Sequence, residues 1–198
     1  MGDAAILAKV PIYGARDAGR RFWKQFGEEL VKAGLKSNRH IKAMYSFEVE
    51  GDVKVVLATH VDDMIWSCKE GYEYIVQNIL KKFDIRKIEE GKFRFCGREI
   101  EQNEKGDIYV TCRDTAEKIL PITLRKFNER EMDNSATEGE IGQLRSVVGS
   151  LAWIARQCRP ELSYYCSKLQ SIAGSATVKY LLEANKVLQL AIEGATRG

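Results

Sequence analysis

Asp62 and Asp63 stand side by side at the end of an apolar run, in "VVLATHVDDMIWS" at residues 55–67. Two like charges where a strand ends repel each other, and partial burial raises the cost of ionising both. A bound Mg²⁺ removes that conflict, because it takes hard oxygen ligands, typically one or two carboxylates plus substrate phosphates. Two such ions about 4 Å apart activate an attacking hydroxyl and stabilise a leaving pyrophosphate. A solvated Asp-Asp turn is the simpler alternative on residue types alone. The order of the surrounding elements must decide between the two.

Those elements follow from periodicity. Phe22, Phe26, Leu30 and Ala33 recur at helical spacing beside Trp23, which predicts an amphipathic helix over residues 15–33 with Gly34 at its stop. "AMYSFEVE" and "VKVVLAT" read as strands joined by a hairpin at Gly51-Asp52. The second strand delivers the two aspartates, and "MIWS" reads as a further strand. Tyr72, Ile75, Val76, Ile79, Leu80 and Phe83 predict a helix over 71–83, with Lys81 and Lys82 at its negative pole. "KFRFCGREI" and "DIYVTC" then alternate as two strands around "NEKGD".

Beyond residue 112 the pattern becomes helical. "RDTAEKIL" reads as a short helix capped by Asp114 or Thr115, and 121–136 as a polar connector. Thr137 and Glu140 form a capping-box pattern opening a helix to about Gln157. Arg159-Pro160 breaks it, and helices over 161–172 and 177–194 follow. The fold class expected is α+β: an antiparallel sheet with flanking helices over 1–112, then a helical unit over 113–198.

Bulk composition sets the outer limits. The 198 residues are 44% hydrophobic and 30% charged, which fits a soluble globular chain with a sizeable core. No apolar run approaches a bilayer span, and the start has neither a secretion signal nor a myristoylation pattern, so no membrane partner is expected. The 31 basic and 28 acidic residues leave +3, which permits a polyanionic partner without demanding one. The five cysteines include no C-x-x-C pair and read as small core hydrophobes in a reducing intracellular compartment, cytoplasmic or nuclear.

"HVDDM" between two strands resembles the aspartate hairpin of reverse transcriptases, which usually reads Tyr-x-Asp-Asp. Other segments resemble retrotransposon polymerases of the Ty1/copia type, in family order. "VPIYGARDAGRRFWKQFGEELVKAGL" is similar to the helix segment ahead of that hairpin. "KKFDIRKIEEGKFRFCGREIEQNEKGDIYVTCRDTAEKIL" is similar to the stretch containing "FLGIEI". "IGQLRSVVGSLAWIARQCRPELSYYCSKLQS" is similar to "YRSLVGSLLYLA..TRPDI.YAV..LS", and "EANKVLQLAIEGATRG" ends where the family has a helix just ahead of ribonuclease H.

The resemblance implies the later part of a reverse-transcriptase palm up to about residue 112, followed by a thumb or connection. Asp62 and Asp63 match the metal-binding and catalytic pair, with His60 where Tyr is usual and able to stack on a nucleotide. Cys96, Gly97, Arg98 and Glu99 match the hairpin that supports the primer end. Tyr13, Gly14 and Arg16 fall in the segment lining the nucleotide and template side. The implied reaction is attack of a primer 3′-hydroxyl on a deoxynucleotide α-phosphate, with Mg²⁺ as cofactor and RNA or DNA primer–template as partner.

Two departures shape the expectation. The family's third aspartate, on an earlier strand, has no match here, since Asp3 lacks a strand context, and the fingers are not represented. Asp17 places an acid where the family has a polar amide or Lys. The chain alone is therefore expected not to polymerise until joined to an upstream fingers and palm half, with ribonuclease H downstream in the parent polyprotein. The competing expectation is a non-enzymatic, degenerate or repurposed retroelement remnant that at most binds nucleic acid. An unrelated metal-dependent phosphotransferase ranks last, because His40 and His60 are the only histidines.

Arg16, Arg20, Arg21 and Lys24 form a basic cluster that reads either as a phosphate-facing stripe or as a solvated helix face. Arg145, Arg156 and Arg159 fall in the implied thumb, where the family contacts the nucleic-acid backbone. Trp23, Trp66 and Trp153 sit in apolar periods and read as core rather than as base-stacking platforms.

Overall fold

Phe26 and Leu30, one helical turn apart, turn their side chains into one core from helix α1, Ala18–Lys32. The computed structural model describes residues 18–61, 63–83, 85 and 87–194. α1 stops where the sequence predicts. Gly34 takes φ +93°, Gly34 N–H donates to Val31, and Leu35 N–H reaches back to the Leu30 carbonyl at 3.1 Å. A left-handed residue there lets the last carbonyls find partners, and glycine adopts it at no steric cost.

Four strands follow in one antiparallel sheet, in spatial order: β1 Lys36–Ser37, β2 Met44–Val49, β3 Asp52–His60 and β4 Asp63–Cys68. Val55, Leu57 and Thr59 of β3 alternate into the interior, as the strand period of two requires. Helix α2, Glu73–Lys82, adds Ile75, Val76, Ile79 and Leu80 to the same core. Glu29 of α1 takes ion pairs from Lys32 at 2.7 Å and from Lys82 of α2, fixing the two helices to each other at their polar edge.

The second unit begins with an antiparallel meander: β5 Lys92–Phe95, β6 Arg98–Gln102 and β7 Ile108–Thr111. Helices α3 Arg113–Glu117, α4 Glu138–Gln157, α5 Ser163–Ile172 and α6 Val178–Glu193 complete it. Its core is built on α4 and α6, with Leu144, Leu151 and Ile154 facing Leu181, Ala184 and Leu188. Each fully buried leucine contributes about 1.5–3 kcal/mol relative to exposure.

The compact units divide at 88/89, whereas the change of periodicity in the sequence lies at 112/113. The reason is packing. Cys112 and Ala116, at the end of the meander and the start of α3, are buried in the helical core, so the second sheet belongs with the helices. That same burial starts α3 two residues earlier than a cap at Asp114 would, and three earlier than one at Thr115. Cys112 occupies the N-cap position, and Asp114 lies inside the first turn instead of capping it.

The connector over 121–136 is polar, as read, yet firmly tied. Ile122 N–H donates to Asn185 Oδ1 at 2.8 Å, and Asn185 Nδ2 returns a bond to the Ile122 carbonyl at 2.9 Å. The capping box forms as its residues dictate: Thr137 N–H donates to Glu140 Oε2 at 2.8 Å, and Glu140 N–H donates to Thr137 Oγ1 at 3.3 Å. Among the described residues no helix is long and apolar enough to cross a membrane.

Candidate functional site

β3 and β4 pair in register until His60 meets Asp63, so the two residues linking the strands are 61 and 62. Asp62 lies outside the described residues, as do Tyr13, Gly14 and Arg16. The turn can be judged against two others of the same length in this chain. Glu50 and Gly51 link β2 to β3 with φ 51° and 81°, and Cys96 and Gly97 link β5 to β6 with φ 49° and 79°. Such turns need positive φ at both positions, and each of these uses glycine at the second. At the third turn Val61 takes φ 56° and the second position carries Asp62.

A β-branched residue at positive φ is costly, of order 1–3 kcal/mol. Strain of this kind is found where a site, rather than local preference, determines the sequence. Nothing in the sequence pattern alone singled out Val61. Its signal was available only as a missing Asn-Gly or Asp-Gly between two confident strands.

The Asp63 carboxylate is exposed, and no ion pair or hydrogen bond engages it among the described residues. His60 is likewise exposed at the last position of β3 and is the cross-strand neighbour of Asp63. The donor chemistry suits Mg²⁺: an uncommitted hard carboxylate adjacent in sequence to a second one. Among the described residues, no group of three or more His, Cys, Asp and Glu gathers as metal ligands. A complete two-ion site on this turn therefore requires Asp62 and a carboxylate from elsewhere. β4 is an edge of the four-stranded sheet, pairing with β3 alone among the described residues, so a further strand has a place to add there.

Cys96, Gly97 and Arg98 form a separate turn in the second unit. The alternation of "KFRFCGREI" reads as one strand, but Cys96-Gly97 folds it into β5 and β6, with Phe95 opposite Arg98. Arg98 Nε and Glu99 Oε1 are both buried without a hydrogen-bond partner among the described residues. Glu99 Oε1 instead has the Arg94 guanidinium 4.0 Å away as an ion-pair partner.

The basic residues separate into two kinds. Arg20 and Lys24 are exposed on the first turns of α1, and Arg145 is exposed on α4. Arg159 is not available to a ligand in the same way. Its guanidinium donates to the Ala191 and Leu190 carbonyls at 3.1 and 3.4 Å and pairs with Glu161, leaving 11% of the side chain exposed. It satisfies the C-terminal carbonyls of α6, where a cation is favoured by the helix dipole.

Trp66 and Trp153 pack partly buried against their cores, as expected, whereas Trp23 is 39% exposed. Trp23 sits beside the Phe26–Leu30 stripe of α1 rather than on it. Tyr164 and Tyr165 of α5, not singled out by the sequence pattern, form an exposed edge-to-face pair with ring centroids 5.6 Å apart.

The chain is 25% identical over 192 residues to a Saccharomyces cerevisiae protein named for the transposon Ty5-1, a match covering 90% of this chain. It spans 61% of that protein's length. No family model matches the chain. No solved structure matches it.

Proposed function

We propose that the chain is a segment of a retroelement-derived RNA-directed DNA polymerase of the Ty1/copia type, holding part of the palm and the thumb or connection. The observation that carries this reading is the β3–β4 turn, where two adjacent carboxylates follow a β-branched residue held at positive φ. The likeness to a transposon-named protein along most of the chain supports it.

In this reading Asp62 and Asp63 hold Mg²⁺, which when bound supplies charge stabilisation for attack of a primer 3′-hydroxyl on a nucleotide α-phosphate. His60 flanks the pair and offers a ring for stacking on the nucleotide or primer end. The Cys96-Gly97 turn, followed by Arg98 and by Glu99 with its Arg94 ion pair at 4.0 Å, fits the hairpin that supports the primer. Arg20 and Arg145 contact phosphates, which set affinity and register without reading sequence.

These 198 residues bring two of the three carboxylates that such polymerases use. The proposed activity of the chain by itself is therefore primer–template binding, with nucleotide addition only when a third carboxylate is supplied by an upstream palm strand. Titration of a labelled RNA–DNA primer–template across a salt series is the first test. Affinity falling steeply and log-linearly with salt supports the phosphate contacts. No binding at low salt leaves a retroelement remnant without a clamp. Joined to an upstream palm and fingers half of a Ty1/copia-type element, the chain is expected to extend primers with Mg²⁺, and Asp62→Asn to abolish extension. Robust extension by the chain alone overturns the division of the active site.

A further inference from the structure

The core of the second unit holds two thiols that polymerase chemistry does not use. Cys112, 3% exposed, lies between β7 and α3, and Cys158 is the half-buried C-cap of α4. Cys158 is close enough to Cys112 to help hold its thiol protonated. The Cys158 thiol in turn donates to the Ile154 carbonyl, with Sγ 3.8 Å from the oxygen. Both residues line one small cavity with Ala116, Ile154, Arg159 and Ala191. Buried cysteines usually pack as isolated small hydrophobes, so two lining one small cavity from different elements form a distinct chemical group.

We propose that Cys112 and Cys158 are a redox-responsive dithiol that closes to a disulfide on exposure to a peroxide. Cys158 reacts first because it is the more accessible of the two. Its sulfur attacks the peroxide O–O bond, giving a sulfenic acid and releasing one water. The Cys112 sulfur then attacks the sulfenic sulfur, the S–O bond breaks, and the Cys112 proton leaves with the hydroxyl as a second water. Two thiols are oxidised and one peroxide is reduced to two waters. Burial pushes the Cys112 thiol up to about 12, which keeps it protonated and inert until its neighbour is oxidised.

The new bond ties the start of α3 to the end of α4. Arg159, the next residue, carries that restraint to the C-terminus of α6 through Leu190 and Ala191. In a reducing compartment the pair stays open, and closure reports oxidative conditions.

The test is treatment of the purified chain with one equivalent of hydrogen peroxide, followed by thiol titration and non-reducing peptide mapping. The five free thiols are expected to fall to three, with a peptide joining 112 to 158 and a higher thermal midpoint. Cys158→Ser should remove the cross-linked peptide, and Cys68→Ser should leave it intact. Five remaining thiols, cross-links through Cys68 or Cys96 instead, or Cys158 oxidised to sulfinic acid with no cross-link would each overturn the proposal. The wild-type peptide map decides this even if a variant fails to fold.

Discussion

Gly97 sits against the Trp153 ring: a Cβ at residue 97 would lie 3.1 Å from Cη2 of the indole. The turn that separates β5 from β6 is thus shaped by a side chain of α4, and at φ +79° it also needs glycine for its backbone. Gly97→Ala carries both penalties. Gly91, at φ +70° with open space around its Cβ position, carries only the backbone one. Both alanine variants should lose stability in urea, by about 1 kcal/mol for residue 91 and roughly 2–3 kcal/mol for residue 97. Equal losses would mean that the indole yields freely and does not hold the turn.

Glu140 is 1% exposed, yet ionised. Burial alone would push its carboxyl up, but the Arg130 guanidinium at 2.7 Å, the Thr137 N–H and hydroxyl, and the Arg125 N–H hold it down to about 2. A carboxyl lowered from 4.5 contributes stability that is fully present above that value and is lost as pH falls toward 2. Glu140→Ala leaves Arg130 without its buried partner and should cost about 3–5 kcal/mol at neutral pH. The measurement is urea denaturation from pH 7 downward. The wild type should lose its advantage over the variant below about pH 4.5; an advantage that persists at pH 2 would contradict the assignment.

Glu140 also shows what could be read from the sequence. Thr137 and Glu140 announce the start of α4 because a capping box is local, made of two side chains and two N–H groups within one turn. The Arg130 partnership was not legible, since it depends on how the connector folds back. The same contrast separates the other elements. Val55, Leu57 and Thr59 reveal β3 through alternation, whereas the break inside "KFRFCGREI" is hidden by alternation on both sides of it. The Asp-Asp pair was visible as residue types. The strain at Val61 was not, because φ is a property of the closed hairpin. The two carbonyls beside Arg159 were not legible either, because they depend on where α6 packs.

Val61 offers a direct probe of that strain. Asn adopts positive φ far more readily than a β-branched residue, so Val61→Asn should stabilise the β3–β4 turn by roughly 1 kcal/mol in denaturant. Val61 is 64% exposed, so little packing is lost with its methyl groups. Under the proposed function, and if the valine serves the adjacent aspartates, the same variant joined to an upstream palm and fingers half should extend primers more slowly while being the more stable protein. A variant that is both more stable and fully active would assign the strain to chance.

Arg145, Arg159 and Tyr164 should fail in three distinguishable ways when changed to alanine. Arg145 is exposed on α4, and under the proposed function its loss should weaken primer–template binding and lower the salt slope by about 1, with stability unchanged. Tyr164 is 70% exposed, and its loss should cost about 1–3 kcal/mol of binding if bases stack on it, with the slope retained. Arg159 donates to two carbonyls of α6, so its loss should lower stability by about 1–2 kcal/mol, and its effect on binding should vanish once the protein is fully folded. Salt-dependent binding and urea denaturation on the three variants check all of this together. An Arg159→Ala protein that is as stable as wild type but has a shallower salt slope would place that guanidinium among the proposed phosphate contacts.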